Sequence, residues 1–506
     1  MPIIIQGFPE TYKRPGFYGE TVYGAGGISS GSIPKYLLLM GLKTSAGTMT
    51  ADTQVVDIGS DDDADTYCGA GSLLARQCYA ARREAGIRIK AIAVTEASGG
   101  AAATATITIA TNASSSGEWV YTIDGIDVRV AVQSGATPTA QATAIKNAIN
   151  GNPRLPVTAT SNVGAVTITT KNVGAICNSF ILFQSKATAP GGSTSTLAGG
   201  SAVTSSTPLE DGVFFSGGSG SEDVTNALAT LYAGRYHRIG VGMIDATNAA
   251  LVEAQLDAKA GPTVGRMEHA VFANIGNIAA ATSVAQTTLN NARCQLVWIE
   301  ECETHPSEIA ARVAAARLAK EQSNPNSNFD GYPLTGIRAQ RSRAKWASES
   351  NQVSALDNGV TPLLSQSDGT VTIARAITTK SLTSSNPDYR TLDVGFATTP
   401  DEVRDDLALQ WTTVFLPANP AVRDDPASEE PDPPAGVATP KRWTSFVENR
   451  RETVYAANLW TLPVTTATLT ESEYNNTDKR IMSKVPVLTH PLQHQIGVSV
   501  RETSSV

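Results

Sequence analysis

Residues 36–42, YLLLMGL, are an apolar run with polar text on both sides, which predicts a strand buried on both faces. Leu73, Leu74, Gln77, Cys78 and Ala81 follow at helical spacing. Gly86 closes that helix, and Ile87, Ile89, Ala91 and Ala93 then alternate as a second strand. The same alternation of helix and strand returns at 210–322. Strands are predicted at 239–244, 269–275 and 295–300. Helices are predicted after Ser221 (Val224, Leu228, Leu231) and over 249–260, 279–290 and 306–322. This order implies crossover connections and a mainly parallel sheet. Residues 355–379 read as a hairpin with turns at Asn358-Gly359 and Ser367-Asp368-Gly369. Val371, Ile373, Arg375 and Ile377 fall on one face of its second strand. Further helices are predicted around Val403, Leu407 and Trp411 and over 446–459.

The pattern changes at Ala97. Residues 97–209 are rich in Thr, Ala, Ser and Gly and poor in charge. Ile107 and Ile109 alternate, and 119–123 and 126–132 flank the turn Asp124-Gly125. Thr139 is read as the cap of a helix carrying Ala142, Ile145, Ala148 and Ile149, which Gly151 stops. Residues 157–160 and 165–170 flank Asn162-Val163-Gly164. A last strand is read at 180–183, and 190–208 is read as a linker. The stretch predicts a small α+β domain inserted between core elements.

The two ends are apolar strands without a local partner. Ile3, Ile4 and Ile5 precede Pro9, Pro15 and a scatter of glycines. Ile496, Val498 and Val500 alternate after Pro486 and Pro491. Each strand either docks on its own domain or adds to the sheet edge of another chain. The second reading is favoured, because about 15 extended residues reach roughly 50 Å.

Composition narrows the function classes. A chain of 506 residues predicts two to four domains, and 41% hydrophobic residues can fill them. The net charge of −8 disfavours nucleic acid as a partner. Five scattered cysteines without a CxxC pair read as free buried thiols in a reducing compartment. The first residues do not read as a signal peptide. No run of about 18 apolar residues predicts a membrane span.

Candidate chemistry is sparse. No GxxxxGK[ST] loop, GxSxG elbow or HExxH pair occurs. Gly69-Ala70-Gly71 lacks the third glycine of a dinucleotide turn. Asp61, Asp63 and Asp65 imitate a calcium loop, but Thr66 and Ser72 stand where it needs Gly and Glu, so a solvated acidic turn is expected. His490 and His494 share a four-residue spacing that Pro491 interrupts, with no third ligand nearby. Ser32 and Lys35 match SxxK across Pro34, without companion motifs. His237, His269 and His305 stand singly. The expectation is a non-enzymatic protein without cofactor, metal or catalytic residues.

Several segments in order resemble contractile-tail sheath proteins of the Mu-like branch. NGVTPL (358–363), SDGTV (367–371) and ARAITT (374–379) are similar to the core hairpin of that family. RPGFYGE (14–20) is similar to the segment after its N-terminal arm. KYLLLMG (35–41) is similar to its first core strand, with Gly47-Thr48 as the following turn. The resemblance implies a multidomain α/β and α+β fold. A core α/β domain with a mixed sheet would carry an inserted, outward-facing β-rich domain and extended terminal β-arms. The expected division is an N-terminal arm at 1–30, core parts at 31–96 and 210–330, the insertion at 97–209, a C-terminal core domain at 331–485 and a C-terminal arm at 486–506.

The resemblance also implies a helical polymer around an inner tube in a phage tail or related particle, assembled in the host cytoplasm. The arms (Ile3, Ile4, Ile5, Ile496, Val498, Val500) would make the inter-subunit contacts. Partners would be neighbouring sheath subunits, tail tube, baseplate and tail terminator proteins, with neither nucleic acid nor direct membrane insertion. Two other readings are a self-assembling surface or adhesive protein, which would suit the Ser/Thr/Ala-rich insertion, and a cytosolic enzyme with its site at the strand ends of 210–322.

Overall fold

The structure is a computed structural model and describes residues 35–243, 245–427, 430–492 and 494. The first part holds β1 (Tyr36–Leu42), β2 (Val55–Ile58), α1 (Asp61–Ala64), α2 (Leu73–Ala81) and β3 (Arg88–Val94). Next come β4 (Thr104–Ile109), β5 (Gly117–Ile123), β6 (Ile126–Val132), α3 (Pro138–Asn150), β7 (Val157–Asn162) and β8 (Ala165–Thr170). They are followed by β9 (Ile181–Ser185), β10 (Ser195–Ala198), β11 (Ala202–Val203) and β12 (Glu210–Phe214). Then α4 (Thr225–Leu231), β13 (Arg238–Val241), α5 (Ala246–Ala260), β14 (His269–Asn274), α6 (Ile278–Ser283), β15 (Cys294–Trp298) and α7 (Pro306–Glu321) alternate. The chain continues with α8 (Glu349–Asp357), β16 (Val360–Ser365), β17 (Val371–Ile373) and α9 (Val394–Gln410).

The fold is mixed α/β with several sheets. The largest has eight strands in the order β17-β16-β15-β14-β13-β1-β3-β2. β1 pairs parallel with β3 on one side and β13 on the other, and β14, β15 and β16 continue parallel. β2 and β17 close the edges antiparallel. The uninterrupted apolar run of β1 follows from this central place, since both of its faces are covered. Leu37 and Leu39 join the core of α2 and α7, with Leu74, Cys78, Ile309 and Val313. Leu38, Met40 and Leu42 join the opposite core, with Val252 and Leu256 of α5. The alanine-rich α7 comes so close that a Cβ at Gly240 would lie 3.0 Å from Ala311 Cα.

Between β3 and β13 the chain forms two antiparallel sheets, ordered β10-β4-β8-β7 and β11-β12-β9-β5-β6. Ile107, Trp119, Tyr121 and Ile168 fill their core together with Ile145 and Ile149 of α3. Ala101 pairs with Ser219 and Thr104 with Ser216, so the chain leaves and returns on adjacent backbone.

Several expectations change in detail. Residues 190–208 are not only a linker. β10 pairs with β4, β11 pairs with β12, and β9 is therefore not the last strand of this region. β10 hides from pattern reading because its inward position is polar. The Ser195 hydroxyl bonds Gln184 Oε1 at 3.0 Å and the Tyr121 hydroxyl at 3.2 Å. β12 pairs with β9, so an excision at 97–209 would strand β12 from its sheet. Thr137, not Thr139, caps α3, because Pro138 suits the first helical position. Ser221 does not cap α4; the Asp223 carboxylate accepts the Thr225 N–H at 2.9 Å.

Asn358-Gly359 is not a hairpin turn. Asn358 ends α8, and Gly359, at φ 76°, redirects the chain into β16. The turn between β16 and β17 runs over 366–370. Arg375 lies beyond β17 and pairs with Asp393 at 2.7 and 2.9 Å.

Candidate assembly interface

From α9 onward the chain builds its own apolar cluster. Val403 and Leu407 of α9 meet Phe415, Trp443, Val447, Tyr455 and Trp460. Phe415 stands edge-on to Trp443, with ring centroids 4.9 Å apart. On the helix Pro440–Arg450 lies a hairpin of Glu471–Asn475 and Arg480–Lys484. Met482 is its one buried residue. Ser472 bonds Ser483 at 2.7 Å and Thr444 of the helix at 2.8 Å, which fixes the hairpin to its support.

This is a two-stranded sheet, and among the described residues neither outer edge has a strand partner. A two-stranded hairpin is marginal by itself, and an open edge is a template for a further strand. Charged positions such as Glu471, Glu473, Arg480 and Lys484 guard these edges against indiscriminate pairing. The large sheet has one open edge, at β2, which pairs only with β3 among the described residues, and one covered edge. The far side of β17 is covered by 331–334, whose Leu334 N–H donates to Val371 O and Gly331 N–H to Ile373 O. Exposed large apolar side chains also gather on the C-terminal module, among them Val414, Leu416, Leu459, Leu462, Leu469 and Leu488.

The module is tied to the large sheet through the carboxylates of α9. Asp401 accepts from His269 Nε2 at 2.9 Å and from Arg293 Nη2 at 3.1 Å. Glu402 pairs with Lys35 at 2.7 Å, and Asp405 pairs with Arg235. Arg404 reaches back to the Ala260 carbonyl at 2.8 Å. Asp406 faces the module itself, meeting Arg450 at 2.7 Å and the Tyr455 hydroxyl at 2.8 Å. Burial alone would raise the Asp401 carboxyl; Arg293 and His269 overturn that and hold it below the usual carboxylate range. Burial pushes His269 down to about 3 against the pull of Asp401, so its ring is neutral at pH 7.

Ile3, Ile4, Ile5, Ile496, Val498 and Val500 lie outside the described residues. Near the second group the chain is anchored at His494, whose Nδ1 lies 2.6 Å from Asp330 and whose Nε2 lies 3.4 Å from Asp393. His490 is bonded through its N–H to Trp460 O, on another segment. The two histidines share no helix.

The other motifs resolve into local structure. Asp61 and Asp63 sit in α1, where Ser60 and Asp63 form a reciprocal cap at 2.8 and 3.0 Å. Asp61 pairs with Arg82 at 2.7 Å and Asp65 with Arg154 at 2.6 Å. The acidic run is therefore a capped and paired helix rather than a solvated turn. Lys35, the end of the SxxK match, bonds Glu402 and the Glu321 carbonyl. His237 Nδ1 accepts the Tyr36 N–H at 3.3 Å.

In an open α/β sheet a ligand crevice opens where strand order reverses, here at the carboxyl ends of β1 and β13. Beside that place, over the carboxyl ends of β1 and β3, the chain packs a side chain of its own. Asn172 donates to Lys43 O at 2.9 Å and accepts the Leu73 N–H, at the start of α2, at 2.9 Å. Its amide also reaches Glu96 at 2.6 Å. The helix start that would take a phosphate is capped from within.

Sequence reading missed the 471–484 hairpin and the α9 ion pairs. The hairpin had a signal: Asn475-Asn476 and Asp478-Lys479 form its turn, with Lys479 at φ 51°.

No family model matches the chain, and no curated protein matches it. Among solved structures it is similar to a sheath tail protein from Desulfitobacterium hafniense, at 13% identity over 92% of this chain and 96% of that chain, with a TM-score of 0.49. It is also similar to the helical sheath of the anti-feeding prophage in its contracted state, at 10% identity over 97% and 100%, with a TM-score of 0.45. The third is the baseplate of the same prophage in its contracted state, at 11% identity over 99% of both chains, with a TM-score of 0.46. All three TM-scores are below 0.5. The solved neighbours are thus a sheath tail protein and parts of a prophage particle.

Proposed function

We propose that this chain is a structural, non-catalytic subunit of a contractile tail sheath, which polymerises around an inner tail tube and contracts to drive it through a host envelope. The observation that carries this reading is the 471–484 hairpin, whose two outer edges have no strand partner among the described residues, in a chain with an apolar stretch of strand-like sequence near each end. One chain then holds both halves of a woven polymer, acceptor edges and donor strands. Ile3, Ile4 and Ile5 of one neighbour and Ile496, Val498 and Val500 of another would complete a four-stranded sheet on each subunit.

Contraction on this account draws on interface energy stored at assembly, since no nucleotide-binding motif stands in the sequence. A specific interface buries roughly 1,200–2,000 Å², so exchanging one set for another in every subunit can supply the work. The woven strands keep subunits linked while other contacts change. The layout expected from the sequence has terminal arms at 1–30 and 486–506, core parts at 31–96, 210–330 and 331–485, and the 97–209 region as an insertion. We propose it with two changes. β12 (Glu210–Phe214) joins the insertion because it pairs with β9, and the C-terminal arm starts after His494 because Val487, Leu488 and His490 are docked on the C-terminal module. The partners are neighbouring subunits, the tube, the baseplate and the tail terminator, within a virion tail.

Cross-linking tests the pairing. Val498→Cys is combined with Glu473→Cys on one hairpin edge or Ser483→Cys on the other; the five native cysteines are all buried. Oxidation of assembled protein is expected to give a ladder of disulfide-linked multimers with one of the two pairs. Monomer alone from both pairs, in protein that has polymerised, would count against strand exchange at this hairpin.

A further inference from the structure

The tip of the β5–β6 hairpin, Asp124-Gly125, is seated between α2 and α7. Arg76 Nε lies 2.9 Å from Asp124 Oδ2 and 2.8 Å from Glu308 Oε1, and Arg76 Nη2 lies 2.8 Å from Asp124 Oδ2. One N–H hydrogen thus faces two carboxyl groups. The three side chains are almost shut off from water, at 0% exposure for Asp124, 8% for Glu308 and 10% for Arg76.

His305 adds no charge to the cluster. Its backbone N–H donates to Asp124 Oδ1 at 2.9 Å. Its ring Nε2 faces the Ile176 carbonyl at 3.2 Å and therefore carries the hydrogen. Its Nδ1 accepts the Ser307 N–H at 3.2 Å, so the ring is neutral. Other charges around the cluster are engaged elsewhere. Asp127 pairs with Arg338 at 3.4 Å and Arg154 with Asp65 at 2.6 Å. Burial pushes the Cys302 thiol up to about 12 and raises the Tyr79 hydroxyl, so both are uncharged.

Two carboxyl groups against one guanidinium would leave a net negative charge in a buried site, and such a site keeps a proton instead. We propose that Glu308 and Asp124 form a proton-retaining latch. Glu308 keeps its proton and gives it in a hydrogen bond to Asp124, which fastens the antiparallel sheets to α2 and α7 up to neutral pH and loosens them in alkali. Burial raises the Glu308 carboxyl well above its usual range, and the Asp124 charge adds to that. Against its own burial, Asp124 is held low by Arg76. A cleft of about 310 Å³ that reaches Arg76, Asp124 and Glu308 past Tyr79 and Arg83 gives the proton a path to water. When it leaves, two carboxylates repel across Arg76.

The latch makes a prediction about slope. Opened to water, both carboxyls ionise near pH 4–5, so above that range the closed state holds one proton more than the open state. The opening constant of the hairpin tip therefore rises about tenfold per pH unit until Glu308 ionises in place. Hydrogen exchange of the 119–132 amides, corrected for the intrinsic pH dependence of exchange, reads this constant. Glu308→Gln keeps a donor for Asp124 and an acceptor for Arg76 and is expected to be flat with pH. Asp124→Asn, which leaves Glu308 as the one carboxyl on Arg76, is expected to be flat as well. The infrared spectrum of the native protein at pH 7 should show a protonated-carboxyl band that Glu308→Gln loses. Equal slopes in native protein and either variant, or identical carboxyl bands, would overturn the latch.

Discussion

Deleting residues 495–506 is expected to give a folded protein that no longer polymerises. The cut falls after His494, so the contacts of that residue with Asp330 and Asp393 stay in place. What is lost is the alternating apolar sequence of Ile496, Val498 and Val500. Burying three such side chains on a neighbour supplies roughly 5–9 kcal/mol. Ordering five or six residues costs a similar amount, at about 1–2 kcal/mol each. On the proposed reading a single arm binds weakly, and a polymer would depend on many arms engaged at once. Unfolding curves of the truncated and full chains should coincide, while sedimentation of the truncated chain should show monomer at concentrations where the full chain pellets. Polymer of normal yield from the truncated chain would remove the C-terminal arm from the account.

Asp401→Ala is expected to be strongly destabilising. It removes the carboxylate that Arg293 and His269 share at the junction of α9 and the large sheet. Breaking a buried ion pair from one side costs about 3–5 kcal/mol, a large part of the roughly 5–15 kcal/mol that a domain has to lose. The pH dependence has a definite sign. The folded-state pKa of Asp401 lies below its unfolded value near 3.8, so its contribution is complete above that value and is lost as pH falls through the folded pKa. The stability gap between native protein and variant, taken from denaturant midpoints, should be full at pH 7 and should close in strong acid. A gap that stayed constant down to pH 2 would assign the loss to packing rather than charge.

Much of the large sheet was legible because its central strands are apolar on both faces, so 36–42, 269–275 and 295–300 stood out as continuous runs. The helices between them had the right spacing, and in the antiparallel region the start of α3 shifted by two residues because Thr137 and Pro138 decide it. The polar half of the architecture was not legible. β10 turns a serine inward, and the hairpin 471–484 is half-exposed on both faces, so neither shows the alternation that marks a strand. Nothing in the local sequence marks Arg76, Asp124, Glu308, Asp401 or Arg293 as buried. Their burial depends on partners 48 to 232 residues away, which no local window contains. Asn358-Gly359 carried a true signal for a left-handed residue and an ambiguous one for its setting, since a helix end and a hairpin turn ask for the same dipeptide.

The central claim is that the chain polymerises into a sheath. Negative-stain electron microscopy of the purified full chain, alone and with the candidate tube protein of the same particle, tests it most directly. The account predicts hollow tubes or stacked rings of uniform width, formed alone or on the added tube. Monomers or small closed oligomers in both samples, at high concentration and with both termini intact, would contradict it.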